Sequence, residues 1–319
     1  MSFAERSVIV VTPVFEDVEA SSRLFQELHK ELGEKLFVVA VDDGSVKQPV
    51  SPAPMVAAGV EGIVLRLRRN VGHQRAIAIG LSWAADKLSD GQRAVVMDSD
   101  GEDLPETIPA LLEALEPDDV DVVVARRKSR VETLKFKAFY VVYKAMFTFL
   151  TGRKISFGNF MALKPAAVRR LVSMQETTTH VAASVLASRL RTSIIPLDRG
   201  PRYAGQSKMN FVGLALHGFR ALMVFAEDVL VRVGIWCMVI AGASVVGAFV
   251  AVILKIVDNS SPGWFSIASG ILFVLFLQTG TLTLMTLMLT GVVRSGNVVT
   301  GIEYADYVEA ELPAEGAAA

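Results

Sequence analysis

Over the first 125 residues the chain alternates between short apolar runs and longer stretches of helical spacing. Ser7–Thr12, Leu36–Val41, Gly62–Leu67, Arg93–Met97 and Val120–Ala125 have the length and apolar continuity of buried strands. Helical patterns lie between them at about 18–32, 72–88 and 105–116. This order predicts an α/β fold with a mostly parallel sheet covered by helices on both faces. Proline-rich Gln48–Pro54 reads as an exposed connection. The pattern then changes. Residues 126–137 carry Arg126, Arg127, Lys128, Arg130, Lys135 and Lys137 against Glu132, and an aromatic helix follows through Tyr143, Phe147 and Phe149. A second helix of similar character spans Asn210–Asp228. Its junction with the apolar segment that follows favours an interfacial position. For the aromatic helix, packing within the soluble part stands as an equal alternative.

Residues 233–254 and 264–293 contain no Asp, Glu, Lys or Arg, and each is long enough to cross a hydrocarbon core of roughly 30 Å. They account for a hydrophobic content of 52%, too high for an ordinary soluble enzyme. Arg202, Lys208, Arg220 and Arg232 precede the first span and Arg294 follows the second, whereas the loop between them holds Lys255 against Asp258. The bias of basic residues predicts a cytoplasmic N-terminal part and a cytoplasmic tail. The N-terminus runs within a few residues into a strand, which is not the pattern of a signal peptide. Cys237 is the one cysteine and lies in the first span, so an intrachain disulfide and a cysteine-based zinc site are excluded. The expected organisation is a soluble domain over 1–207, an interfacial helix over 208–230, a two-helix hairpin over 231–294 and a tail over 295–319, ending in low-complexity Ala314–Ala319. The net charge of −1 says nothing by itself, since local clusters carry the information, and no nucleic-acid partner is expected.

The densest candidate chemistry is Val95-Val96-Met97-Asp98-Ser99-Asp100-Gly101-Glu102-Asp103-Leu104-Pro105-Glu106. A strand ends there in a run of carboxylates, and strand ends in open α/β sheets are where ligands bind. Carboxylates one residue apart at such an edge can hold a hard divalent cation, and through it a diphosphate. Three other patterns precede it: Val10-Val11-Thr12-Pro13-Val14-Phe15-Glu16-Asp17, Val41-Asp42-Asp43-Gly44-Ser45 and Asn70-Val71-Gly72-His73-Gln74-Arg75-Ala76. Arg202-Tyr203-Ala204-Gly205-Gln206-Ser207-Lys208 comes after it.

In this order the motifs resemble family 2 glycosyltransferases of the GT-A (Rossmann-like) fold. With two spans after the catalytic domain, the chain looks like the branch that glycosylates polyprenyl phosphates, which includes dolichol-phosphate mannose synthases and bacterial undecaprenyl-phosphate glucosyltransferases. The resemblance reaches to about residue 295. It implies a UDP- or GDP-linked sugar donor, a polyprenyl phosphate acceptor, a lipid bilayer as partner, and Mg2+ or Mn2+; it leaves a homo-oligomer open. Pro13, Asp17, Asp42, Asp43, Asn70, Gly72 and Asp98 would surround the donor, and Asp100 with Glu102 would hold the metal. Asp98, Asp100, Arg126, Arg202, Ser207 and Lys208 would carry catalysis, with Arg126, after the fifth strand, facing the acceptor phosphate. The chain departs from the family at Glu16-Asp17, usually Asn-Glu, at Glu102, where many relatives carry Gln, and at His73, often Lys.

The implied reaction needs little proton chemistry, because a polyprenyl phosphate is already anionic and can attack the anomeric carbon with inversion. The barriers are charge on the departing nucleotide diphosphate and the approach of two anions, which a Lewis acid and preorganised guanidinium groups lower. His73, which could touch the donor, and His180 are therefore read as structural or minor, and Asp103 as the cap of the helix beginning near Pro105. Trp264 reads as an interface anchor and Gln278 as a helix-packing residue. Two rival readings are a polysaccharide synthase, whose Gln-x-x-Arg-Trp motif is absent here, and a membrane-anchored nucleotide-sugar-binding scaffold.

Overall fold

The computed structural model describes residues 3–127, 134–154, 157–203, 211–257, 263–296 and 303–314. The chain forms two compact units. One comprises Met1–Val141, Ile155–Val224 and Val299–Ala319, and the other Val142–Lys154 and Phe225–Val298.

The first unit is built on an eight-stranded sheet. Its strands are β1 (Val8–Val14), β2 (Leu36–Asp42), β3 (Glu61–Leu67), β4 (Arg93–Val96), β5 (Val122–Arg127), β6 (Met161–Leu163), β7 (Thr192–Leu197) and β8 (Val308–Ala314), in the order β7-β5-β6-β4-β1-β2-β3-β8. β1 pairs in parallel with β2 and β4, β2 with β3, and β5 with β7. Short β6 runs antiparallel between β4 and β5, and β8 runs antiparallel along β3. The mostly parallel sheet expected from the alternation is present.

The helices are α1 (Val18–Leu32), α2 (Ala53–Ala57), α3 (His73–Ala85), α4 (Ile108–Leu115), α5 (Leu134–Thr151), α6 (Pro165–Val172), α7 (Val181–Ala187), α8 (Phe211–Met223), α9 (Ala226–Val257) and α10 (Trp264–Gly296). β1 reads as one apolar run because helices cover both faces of the sheet. Its alternate residues divide two cores. Ile9 and Val11 pack with Ile77 and Trp83 of α3, while Val8, Val10 and Val14 pack with Leu24, Leu28 and Leu111 of α1 and α4.

Two sequence expectations are corrected here. Arg126 lies within β5, in register with Pro196, and not after the strand. The Asn210–Asp228 pattern is broken: α8 stops at Met223 and belongs to the first unit, and α9 starts afresh at Ala226 with Glu227 and Asp228 in its first turn. The tail, to which the sequence reading assigned no strand, contributes β8 to the sheet. The expected basic run at 128–133 lies outside the described residues, as do 315–319.

The second unit contains the end of α5, α9 and α10. α9 and α10 are long and apolar enough to cross a membrane, and only 17% and 11% of their most apolar windows are buried, which is unlike the core helices of a soluble domain. They pack through small and hydroxylated residues. A side chain at Gly234 would lie 2.9 Å from Thr286 Oγ1. Thr279, Thr283, Thr286 and Thr290 form a buried stripe on α10, each hydroxyl donating to a carbonyl one turn earlier. At the end of α5, Phe147 is buried edge-on to Phe225 and Phe149 packs on Trp236, so this part of the aromatic helix is a packing element.

Candidate active site

The C-terminal ends of β1, β2 and β4 and the N-terminus of α3 form one edge of the first unit, and the acidic motifs fall there. Pro13 is buried in β1 opposite Val41. Glu16 adopts a left-handed φ of 49° and accepts N–H bonds from Val46, Lys47 and Gln48, which hold its carboxyl below the usual carboxylate range. Asp17 caps α1 through the Ala20 N–H. Asp42 is fully buried, accepting from Ser45 N and Val50 N at 3.1 Å, with the Arg66 guanidinium 4.0 Å away. Its oxygens shape the 45–50 loop. Asp43 accepts from Val71 N at 2.7 Å and Gly72 N at 3.0 Å; burial nevertheless raises its pKa. Asn70 is exposed, and a Cβ on Gly44 would sit 2.5 Å from its backbone nitrogen.

The loop after β4 is closed by its own carboxylates. Asp103 is buried and accepts from Asp98 N at 3.1 Å, so it turns back into the loop instead of capping the following helical turn, whose cap is Leu104. Burial, and then the neighbouring Asp98, push its pKa up to about 7. Asp100 accepts from Glu102 N at 3.0 Å, and burial followed by Asp98 raises its pKa as well. His73, the first residue of α3, brings Nε2 to 3.2 Å from Asp98 Oδ1 and 3.2 Å from Asn159 Nδ2. Burial opposes the imidazolium, but Asp98, Asp100 and Asp43 outweigh it, and the His73 pKa is raised. One proton on Nε2 serves Asp98. The Asn159 amide offers Nδ2 to the same nitrogen, so the two contacts call for opposite protonation of Nε2.

A strap, residues 199–203, lies across this loop. Gly200 N donates to Glu102 O and Tyr203 N to Asp100 O. Arg199 pairs with Glu102 and has Nε 3.8 Å from Asp103. Arg202 reaches Asp100 Oδ2 at 2.9 Å and Glu102 Oε1 at 3.4 Å. Gly101, at a φ of +84°, lets the Tyr203 ring lie on the loop, where a Cβ would come within 2.5 Å of that ring. The Tyr203 hydroxyl donates to Glu27 on α1, and Arg23 stacks over the ring at 4.5 Å.

Asp98, Asp100, Glu102 and Arg202 are thus brought together, and Asp42, Asp43 and Gly72 stand along the same edge as organisers of its backbone. Arg126 is exposed and makes no ion pair with the described residues; Ser207 and Lys208 lie outside them. His180 is structural in the sense expected. Its Nδ1 caps α7 through Ala183 N, its Nε2 lies 3.1 Å from His217 Nε2 of α8, and burial together with His217 brings its pKa down to about 3. Arg199, Tyr203, Asn159 and the His73–Asp98 contact were not foreseen. Arg199 stands just before the recognised motif, and Asn159 meets His73 from 86 residues away in sequence.

The pattern of glycosyl transferase family 2 matches residues 9–177, more than half of the chain. The chain belongs to this family. The glycosyltransferase is 28% identical over 262 residues to an undecaprenyl-phosphate 4-deoxy-4-formamido-L-arabinose transferase from Proteus mirabilis, covering 78% of this chain and 77% of that protein. A protein of the same name from Photorhabdus laumondii is 29% identical over 226 residues, 67% of this chain and 66% of the relative. Among solved structures, glucosyl-3-phosphoglycerate synthase from Mycobacterium tuberculosis, in complex with Mn2+, UDP-glucose and phosphoglyceric acid, superposes with a TM-score of 0.50 at 16% identity, over 71% of this chain and 79% of that one. That likeness shows that the glycosyltransferase shares its fold.

Among the described residues no three His, Cys, Asp or Glu side chains converge as a preformed metal cage. Mg2+ or Mn2+ does not require one, because one or two carboxylates, water and substrate phosphates complete its octahedron. Asp100 and Glu102 offer hard oxygen donors, and burial, followed by the neighbouring Asp98, raises the Asp100 pKa. The donor set fits such an ion.

Proposed function

We propose that this glycosyltransferase moves a sugar from a nucleotide-diphosphate donor to a polyprenyl phosphate at a membrane surface, with inversion at the anomeric carbon. The observation that carries this reading is the acidic 98–103 loop under two strap arginines, in a chain that also has two long apolar helices. The printed names of the relatives, transferases that use undecaprenyl phosphate, support the acceptor class.

Asp43 fixes the start of α3, Asp42 and Glu16 fix the loop beside it, and these together shape the donor pocket. Asp98, held by His73, is assigned to the donor ribose, and Asp100, with Glu102 beside it, to the cation. A bound Mg2+ or Mn2+ would neutralise charge on the departing diphosphate as a Lewis acid. Arg202, and Arg126 on β5, are assigned to the phosphate oxygens, which a guanidinium fork matches. Ser207 and Lys208 are assigned to the same strap.

α9 and α10 are proposed to cross the membrane. As two consecutive spanning helices, α9 and α10 would return the chain to the side from which it entered. The basic bias of the sequence makes that side cytoplasmic. Leu216, Phe219 and Met223 are exposed along α8 beside Arg220, as suits an interfacial helix.

The test is chemical. Purified full-length protein, given radiolabelled nucleotide sugars, Mn2+ and short polyprenyl phosphates, should produce a labelled lipid that Asp100→Ala does not make. Polymer retained at the chromatographic origin would indicate a polysaccharide synthase, and no product with any donor would indicate a binding scaffold.

A further inference from the structure

Asp100 and Glu102 are bridged by a single guanidinium, that of Arg202, with Nη2 on one carboxylate and Nε on the other. Asp98 and Asp103 belong to the same loop, and Asp43 stands on the same edge. The Arg202 guanidinium places a positive charge between the Asp100 and Glu102 carboxylates. A divalent cation taking the same oxygens would meet that positive charge at contact distance.

We propose that Arg202 holds the place of the divalent cation and is exchanged for it. Resting on the reading of the site given above, this means that Arg202 gives up Asp100 and Glu102 when the cation binds, and its freed guanidinium turns to the anionic substrate. The surroundings suit a side-chain swing with a stationary backbone. Tyr203 N remains bonded to Asp100 O, the Tyr203 ring remains on Gly101, and its hydroxyl remains on Glu27. Arg199 stays behind on Glu102 and Asp103, and it makes no ion pair with Asp100. The Arg202 side chain is 30% exposed, which gives it a path through water, whereas Asp100 at 16% is held in place. Charge neutralisation and substrate capture are then steps of one exchange, and the two arginines of the strap have separate jobs.

This arrangement predicts effects of opposite sign from one substitution. Binding of Mn2+ alone to the full-length protein in detergent is followed by the electron paramagnetic resonance signal of the free ion, without nucleotide. Arg202→Gln should bind Mn2+ about fivefold more tightly than wild type, the scale of one partly exposed ion pair removed as a competitor. Its turnover at saturating Mn2+ should fall. Arg202→Lys keeps the charge but cannot bridge both carboxylates, and should bind Mn2+ with intermediate affinity, so the result does not depend on one variant folding. Asp100→Asn should lose the binding. Unchanged or weaker Mn2+ binding in both Arg202 variants, with Asp100→Asn still defective, overturns the exchange and leaves the site reading intact. Wild-type Mn2+ binding by Asp100→Asn removes the site reading, and the exchange with it.

Discussion

His73 Nε2 lies 3.2 Å from Asp98 Oδ1, so the first side chain of α3 holds the first carboxylate of the acidic loop. Asn159 backs the same ring nitrogen. If the three act as a chain, His73→Ala and Asn159→Ala should each raise the donor KM, and the double variant should be little worse than His73→Ala alone. Steady-state kinetics with the donor varied would give a coupling of at least ~0.5 kcal/mol. Strict additivity would mean that Asn159 does not act through His73.

The strap depends on a missing side chain. Gly101→Ala places a methyl group 2.5 Å from the Tyr203 ring, at a φ of +84° that Ala adopts only with strain. We expect a loss of about 1–3 kcal/mol in thermal unfolding, together with reduced turnover. Adding Tyr203→Ala should recover part of the loss by clearing the clash, while the strain of the backbone remains.

His180 supplies a pH dependence with a defined sign. Its folded pKa of about 3 lies below the ordinary 6.5, so the folded state resists a proton that the unfolded chain takes up. Its contribution is complete above pH 6.5 and is lost as pH falls from there toward 3. Between pH 6.5 and about 5 this amounts to roughly 2 kcal/mol. His180→Asn keeps an N-cap oxygen for Ala183 but removes the titration. Unfolding midpoints measured across that window should fall less steeply for the variant, and parallel slopes would refute the assignment.

β8 is held by more than its ladder with β3. Arg68 N donates to Tyr307 O, Tyr304 and Tyr307 pack on one core, and Leu312 and Ala314 pack on the other. Deleting residues 303–319 opens the β3 edge, and an open edge invites pairing with other chains. The truncated protein should melt at lower temperature and scatter light on warming. A monodisperse truncation with an unchanged midpoint would show that β8 is dispensable.

The five strands foreseen in the sequence are those whose burial makes their apolar runs continuous, and β1 is the clearest. β7 and β8 were hidden because they lie at the sheet edges. Thr192–Leu197 is half-exposed, and Val308–Ala314 alternates apolar residues with Glu309 and Glu311, a pattern that belongs equally to a polar tail. β6 is too short to register as a periodicity. At the site, the acidic loop was legible because its residues are adjacent in sequence. The roles of Asp103 and Glu16 were not, because which backbone N–H a carboxylate accepts depends on how the loop closes. Asn159 carries no local signal at all; only the fold brings it to His73.

β8 also sets an order of events. The ribosome makes Val308–Ala314 only after both long apolar helices, so the sheet keeps an unfinished margin throughout their synthesis. On the proposal that α9 and α10 cross a membrane, a nascent chain stalled before the hairpin is inserted cannot complete the domain that would do chemistry. Assembly of the enzyme and its proposed arrival at the lipid would then be tied together by the direction of translation itself.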